Sequence, residues 1–497
     1  MSTGQYTRPP SLSAQQAERL NDTDKTGHGY THDLIIVGSG PAGMSAAITA
    51  VDAGMRVVVL DEQPRAGGQI YRNVATVSPR LRRLLGPDYR RGGGLVEAFT
   101  ASVADVRHGA TVWDISPDMT VMVQQNDRSF RLRAPQLIVA SGAMERPSPI
   151  PGWTLPGVLN AGAAQIALKS SAQIPDGRVV LVGDGPLLLL VACQLLEAGA
   201  HVAAIVQTSP ASNRRHALRH GVAALGSPSL LAKGVRMLVQ LRRAGVPFFR
   251  HATQVRFDGA ENIGDPQSSG SRVKTVSFTS HGDTHRLSAD IVLLHHGVVP
   301  NTQISRLMRV EHTWSVAQQA WHPVVDAWGE TSLPGFRMAG DGASIGGALA
   351  AQASGAIAAV GAAAALKKLT QKQADERAEP WRRSIARHKR IRPFLDALYR
   401  PPEWLTQCPD ETIVCRCEEV TAGRIREMAR LGCEGPNQTK FFSRCGMGPC
   451  QGRMCGISVT QILAASLGRP PAEVGAYRIR APLKPISLAS IAALNED

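Results

Sequence analysis

Short apolar runs without alternation, each closed by glycines and followed by a helical pattern, set the rhythm of this chain from residue 34 onward. Leu34 to Val37 is the first, the pattern of a parallel strand covered on both faces. It ends in Gly38, Gly40 and Gly43, spaced GxGxxG around Pro41 and Ala42, and a helix is expected from there. The next apolar run, Arg56 to Leu60, predicts a second strand that delivers Asp61 and Glu62 about 20 residues after the glycines. Together these features suit the phosphates and ribose of a dinucleotide. Gly38 permits the tight turn, Gly40 lets a pyrophosphate approach the backbone, Gly43 lets the helix pack closely, and the acid meets ribose hydroxyls.

The Gly-rich loop Arg65 to Arg72, with Gly68 and Gln69, can run beside the same ligand. Beyond an amphipathic basic helix, strands are expected at Thr111 to Ile115, Thr120 to Gln125 and Gln136 to Ala140. The last enters Ser141, Gly142 and Ala143, small residues where backbone must pass close to a bound molecule. A second unit opens at Arg178, where Gly183 and Gly185 match but Leu188 replaces the third glycine, and Val206 and Gln207 stand where the acid should be. The bulky third position forces helix and strand apart, so this unit reads as a retained architecture with weakened or lost nicotinamide binding, although Arg214 and Arg215 could meet a 2′-phosphate. Strands resume at Arg272 to Thr279 and Ile291 to His295; the adjacent His295 and His296 read as packed or solvated side chains sooner than as ligands or catalysts. Residues 335 to 365 then give a strand, a turn at Gly340, Asp341 and Gly342, and a long Ala/Gly-rich helix that returns the chain to its first domain.

The pattern predicts an α/β chain with two dinucleotide-binding (Rossmann-like) domains and a small helical Cys-rich domain. The expected divisions are a disordered leader over 1–31, the first nucleotide domain over 32–155, the degenerate second one over 156–295, and the return of the first over 296–366. A helical linker over 367–407, the Cys-rich domain over 408–470 and a tail over 471–497 complete the chain.

Composition narrows the setting. The longest uniform apolar stretch is Pro186 to Cys193, far below the ~20 residues that cross a bilayer, so no transmembrane span is expected. The polar N-terminus lacks the apolar core of a secretion signal, which points to the cytoplasm. The net charge of +15 comes from Lys and Arg scattered without interleaved aromatics, and only 5% of residues are aromatic, which argues against a nucleic-acid partner. The basic stretch Lys367 to Trp404 reads as a helical connector with a solvated face.

Seven of the eight cysteines fall between Cys408 and Cys455, and Cys193 stands alone. Such clustering in a reducing compartment points to metal or redox chemistry instead of a disulfide framework. Cys415-Arg-Cys417 puts two thiolates on one turn, and RCGMGPCQGRMCG, with Cys445, Cys450 and Cys455, brings more to the same point. Four thiolates suit either a 2Fe-2S cluster or zinc, and the absence of CxxC pairs favours the cluster. Cys415, Cys417, Cys450 and Cys455 are the expected ligands, with Cys445 as the alternate and Cys408 and Cys433 as packing thiols. Thr421 is the expected N-cap of the helix between the two cysteine groups. No CxxC precedes Cys408, so the chain lacks the dithiol of a flavin disulfide reductase.

The order GSGPAG, DEQ, GGQIY, SGAMERP, VGDGP, HHGVVPN, AGDG, CRCEEVT and RCGMGPCQGRMCG resembles the larger FAD-binding subunit of heteromeric bacterial dehydrogenases, over about residues 32 to 470. That family takes in the opine oxidase A subunits, the alpha subunits of D-hydroxyproline dehydrogenase and the B subunits of hydrogen cyanide synthase. The resemblance implies FAD over Gly38, Gly40, Gly43, Asp61, Gln69, Gly142 and Asp341, and a 2Fe-2S cluster on a bacterioferritin-associated-ferredoxin-like domain. It also implies a smaller FAD subunit similar to D-amino acid oxidases, which oxidises the substrate's amine carbon. In some members an FMN lies at the subunit junction. The implied activity is oxidation of the C–N bond of an opine, imino acid or amino acid, with electrons passing to an acceptor or respiratory chain, in the cytoplasm or peripherally at the inner membrane. No catalytic residue is assigned in this chain. The contrasting expectation is a self-contained NAD(P)H-dependent flavin oxidoreductase. The basic surface and the prolyl tail are the candidates for docking the partner.

Overall fold

A computed structural model describes residues 30–259 and 272–495; the leader expected over 1–31 lies almost wholly outside the described residues. The first sheet is parallel throughout. It runs in the order Phe336–Met338, Gln136–Val139, Leu34–Val37, Val57–Asp61 and Asp105–His108, with Leu34 opposite both Val57 and Gln136. Leu34 to Ile36 and Val57 to Leu60 are almost wholly buried, as uniform apolar runs in a doubly covered sheet should be. The expected basic helix is two helices, Pro79–Leu84 and Pro87–Thr100, because Gly86 at φ +90° and Pro87 break it.

The second sheet repeats the plan. Its parallel order is Phe248–Phe249, His201–Val206, Arg178–Asp184, Ile291–His296 and Val158–Asn160. Each sheet carries a three-stranded antiparallel insertion, Thr111–Ile115 with Val121–Gln125 and Arg128–Leu132 in the first domain, and Thr253–Gly259 with Val273–Ser280 and Asp283–Ser288 in the second. The chain crosses between domains at one antiparallel pair, where Ala143–Glu145 leaves and Val298–Pro300 returns.

Helix Ala348–Ala365 is the long Ala/Gly-rich helix expected at the end of the return to the first domain. By length and hydropathy it could cross a membrane, although small residues hide it from a search for bulky apolar runs. It is a core helix. Two thirds of it, 67%, is buried, and a Cβ on Gly355 would lie 1.9 Å from the carbonyl oxygen of Ala42, so it packs backbone to backbone against the helix Pro41–Asp52.

The Cys-rich region is a hairpin, Ile413–Cys415 with Val420–Thr421, followed by helices Ala422–Arg430, Pro436–Ser443 and Gly456–Leu467. Thr421 caps the first of these, accepting from Arg424 N at 3.3 Å. This region does not stand apart. Cys415, Cys445, Ile462 and Tyr477 belong to the same continuous core as Ile35, Leu137 and Val139 of the first sheet.

Candidate functional site: a dinucleotide cradle and a cysteine loop

The first glycine loop closes on itself so tightly that side chains are excluded at two of its three glycines. A Cβ on Gly38, whose φ is +100°, would lie 2.6 Å from the Ala140 carbonyl oxygen, and one on Gly43 would lie 1.7 Å from that of Gly38. Gly40 differs: a Cβ there would meet only Gly68 Cα, at 3.8 Å, and otherwise faces open space. The Gly-rich loop expected beside the ligand is in place, since Gly67 N donates to Ser39 O at 2.9 Å and Gly68, at φ +59°, packs on Gly40. From the far side a Cβ on Gly342 would touch Ser141 Oγ at 3.0 Å, one on Gly340 would touch Ala42 Cβ at 2.8 Å, and Asp341 Oδ1 accepts from Gly346 N and Gly347 N. Gly142, at φ +66°, has nothing within 4 Å of where a Cβ would stand. Gly38, Gly40, Pro41, Ala42, Gly43, Gly68, Gly142 and Gly340 thus come together from four separate stretches of chain, with Gln69, Ala143 and Asp341 as their neighbours in sequence.

Asp61 and Glu62 take different parts. Asp61 is buried; its Oδ2 accepts from Ser39 N at 2.5 Å and Ser39 Oγ at 2.6 Å, and its Oδ1 from Gln63 N at 2.7 Å. One lone pair of Oδ1 remains for a ribose hydroxyl. Glu62 is exposed and forms an ion pair with Lys484, from the tail. The open space beside Gly40 at the N-terminus of helix Pro41–Asp52, where free N–H groups favour an anion, would suit the pyrophosphate of a dinucleotide cofactor.

The second unit makes the same bridge with the residues exchanged. Asp184, within the glycine loop, accepts from Thr208 N at 2.7 Å and Ser209 N at 2.6 Å at the end of strand His201–Val206. Burial pushes the Asp184 carboxyl up, and those backbone donors hold it down in part. The carboxylate is therefore engaged by main chain at the loop and does not stand at the strand end where a ribose would meet it. Leu188 is buried in the core of that domain. His295 and His296 are both buried; His295 Nδ1 lies 2.6 Å from Glu145 Oε1, and its ring edge would be 3.3 Å from a Cβ on Gly185. His296 Nε2 is 3.1 Å from Thr208 Oγ1, and desolvation pushes its pKa down to about 3, so it stays neutral.

Lys169 is a functional-site neighbour that the sequence pattern does not reveal, because it sits on an ordinary helix, Ala161–Ser171. Its buried Nζ donates to Gln69 O at 3.1 Å and Gln165 Oε1 at 2.9 Å, tying the second domain to the Gly-rich loop. Burial, and then the nearby Arg72 charge, push its pKa down to about 7. The folded chain thus releases this proton near pH 7, whereas an unfolded lysine holds it to about 10.5. The unfolded state binds more protons across that window, so stability is expected to rise with pH from about 7 to 10.5 on this account, by on the order of 4 kcal/mol. Melting of Lys169→Met at pH 7 and 9.5 checks this: the variant should gain less stability on alkalinisation than the wild type.

Among the cysteines, Cys415, Cys445 and Cys455 form a buried trio whose sulfurs lie within 4.8 Å of one another. Gly446 N also donates to Cys415 Sγ at 3.4 Å. Hydrogen bonds from Cys445 and then Cys455 hold Cys415 as a thiolate, pushed down to about 2, while the bond to Cys415 pushes Cys445 up to about 12. Cys417 and Cys450 form an outer pair in hydrogen-bond contact; Cys417 is exposed and Cys450 half-buried. The expected four are therefore divided, with Cys415 and Cys455 in the trio and Cys417 and Cys450 outside it. Cys445, set aside in sequence as the alternate, completes the trio. Cys408 and Cys433 are buried away from it. An all-sulfur donor set with a thiolate at its centre suits a thiophilic metal or an iron–sulfur cluster. Tyr477, which sequence reasoning passed over, covers this loop: its hydroxyl donates to Cys445 O at 2.9 Å, and its ring fills the space that Cβ atoms on Gly446 and Gly452 would need.

Two family models match the chain. Residues 32–359 match the family described as pyridine nucleotide-disulphide oxidoreductase, and residues 410–495 match the sarcosine oxidase A3 domain. The opine oxidase A-subunit of Agrobacterium tumefaciens (strain Ach5) is 44% identical over 475 residues, covering 93% of this chain and 92% of the relative. The hydrogen cyanide synthase subunit HcnB of Pseudomonas protegens is 31% identical, covering 93% and 98%. In fold, the crystal structure of L-proline dehydrogenase from P. horikoshii superposes with a TM-score of 0.66 at 16% identity, covering 93% of this chain and 79% of that one. The chain is a flavin-dependent oxidoreductase, and with such identity along nearly its whole length it belongs to the family of opine oxidase A subunits within the pyridine nucleotide-disulphide oxidoreductases.

Proposed function

We propose that this chain is the FAD- and 2Fe-2S-carrying electron-transfer subunit of a heteromeric dehydrogenase that oxidises the C–N bond of an opine, imino acid or amino acid. The observation that supports this most is the shared core: the cysteine loop is packed into the face of the first domain and is not a separate module on a linker. FAD supplies hydride and single-electron chemistry, and the cluster a one-electron relay. The chain's own residues contribute binding. Gly40 and the helix behind it take the pyrophosphate, Asp61 takes the ribose, and the thiolates of four among Cys415, Cys417, Cys445, Cys450 and Cys455 take the cluster.

Substrate oxidation is assigned to a smaller flavoprotein subunit similar to D-amino acid oxidases, because C–N oxidation needs a pocket that fixes the substrate carboxylate beside the flavin, and no motif of this chain marks one. An FMN at the subunit junction, an acceptor in the respiratory chain, and a place in the cytoplasm or at the inner face of the membrane belong to the same reading. The relatives are named as individual subunits of opine oxidase and hydrogen cyanide synthase, which supports an assembly with further subunits. The purified chain is expected to be yellow-brown, with iron and acid-labile sulfide near about two per chain. Amine or opine dehydrogenase activity with an artificial acceptor should be absent from the chain alone and present on co-expression with the small subunit. Zinc without iron in anaerobically prepared protein would overturn the cluster, and unaided turnover of an opine would overturn the partnership.

The contrasting reading, direct reduction by NAD(P)H, meets two obstacles: Asp184 is consumed by backbone donors, and the His295 ring stands against Gly185. Anaerobic mixing with NADPH should leave the flavin absorbance in place. Rapid bleaching would establish a working second site.

A further inference from the structure

The tail from Tyr477 to Lys484 touches both ends of the chain's chemistry. At one end Tyr477 covers the cysteine loop as described, Gln451 Nε2 donates to Pro482 O, and Arg453 donates to Leu483 O at 3.2 Å. At the other, Leu483 N donates to Trp113 O at 2.6 Å on the first domain, and Lys484 pairs with Glu62. Farther on, Gln124 donates to Ser490 Oγ at 2.9 Å, so the segment is anchored on both sides of Lys484. Leu483, Ile479 and Tyr477 are buried in the core shared by the two regions.

The charge arrangement gives this segment a task. Asp61 and Glu62 are adjacent carboxylates at the ribose end of the cradle, and a dinucleotide would bring a further negative pyrophosphate to the same cradle. Lys484 is the tail's cation there, close to Asp61 as well as Glu62.

We propose that residues 477–484 form a strap that couples the two cofactor sites, with Lys484 a positioning residue that retains FAD by neutralising Glu62, and Tyr477 the anchor that holds the strap to the cysteine loop. This rests on the reading of the cradle as an FAD site and of the cysteines as a cluster site. Loss of order in the cysteine loop then loosens the ribose end.

The test uses the full chain and follows FAD release by fluorescence, together with iron per chain. Lys484→Glu should release FAD faster by roughly threefold to fivefold, the size of one half-exposed ion pair, with iron unchanged. Lys484→Arg should behave as wild type, and the gap between Lys484→Glu and wild type should close as salt is raised. Tyr477→Ala should lower iron content and also speed FAD release. FAD release from Lys484→Glu at the wild-type rate would overturn the strap, and so would loss of iron from Tyr477→Ala with FAD release unchanged. Wild-type protein without iron would defeat the cluster reading, while the Lys484 arm, which needs only FAD, still decides whether the strap retains the flavin.

Discussion

Gly40→Leu is expected to yield a folded chain that lacks the flavin absorbance and keeps its iron. The two neighbouring glycines of the turn are fixed by the protein itself: a Cβ at Gly43 collides with the Gly38 carbonyl at 1.7 Å, and one at Gly38 with the Ala140 carbonyl at 2.6 Å. Substitution at either strains the fold, by about 1–3 kcal/mol or more. Gly40 instead lies outside the left-handed region, and a Cβ there meets only Gly68 Cα, at 3.8 Å. A leucine at this position projects into the space the pyrophosphate requires and leaves the strand–helix packing alone. FAD affinity should fall by at least about 100-fold, or about 2.7 kcal/mol, with circular dichroism unchanged. Gly43→Ala gives the opposite pattern, lost stability preceding lost flavin. If Gly40→Leu retains flavin at wild-type stoichiometry, the cradle has been placed wrongly.

Cys415→Ser carries the second large effect. Cys415 is the acceptor at the centre of the buried trio, with Cys445 and Cys455 aimed at its sulfur and the Gly446 N–H donating to it. Removing it withdraws from a site that needs four sulfurs the one that the trio and the Gly446 N–H share, so iron content should fall to about a tenth of wild type or less. Cys433→Ser and Cys408→Ser should leave iron untouched, since both thiols are buried apart from the trio. Parallel Cys417→Ser, Cys445→Ser, Cys450→Ser and Cys455→Ser variants separate the remaining assignments, because four ligands drawn from five cysteines leave one that can be lost with iron retained. Iron at wild-type level in Cys415→Ser would remove the cluster from this loop.

The same packing bears on the order in which the chain matures. The cysteine loop, the tail and the first sheet share one core, so the segment after residue 408 completes the face of a domain whose first strand was made at residue 34. Contacts so distant in sequence form late because the loop they close is long.

The first cofactor cradle was legible because nearly all of its information is local. Strand, glycine spacing, helix and acid follow one another within Leu34 to Asp61, and each residue's task depends on neighbours in the chain, so spacing determines geometry. The uniform apolar runs likewise determined two doubly covered parallel sheets, and the missing third glycine marked the second unit as different. What spacing could not decide was any pairing that depends on how finished elements meet. A CxC turn and a later Gly-rich loop say that thiols converge, but the packing of three helices decides that Cys445 joins Cys415 and Cys455 while Cys417 and Cys450 stay outside. The spacing of the second glycine loop says nothing of Asp184, whose carboxylate finds its partners only where the end of strand His201–Val206 brings the Thr208 and Ser209 backbone against it. The helix Ala348–Ala365 has a membrane-like composition and a core location, a difference set by what it packs on, the helix Pro41–Asp52 at Gly355 and Trp328 at Gly361. Lys169 and Lys484 are solvated cations by sequence. One is buried against the Gly-rich loop and the other drawn to Glu62, because burial and charge pairing are properties of the assembled surfaces and not of the residues that precede and follow.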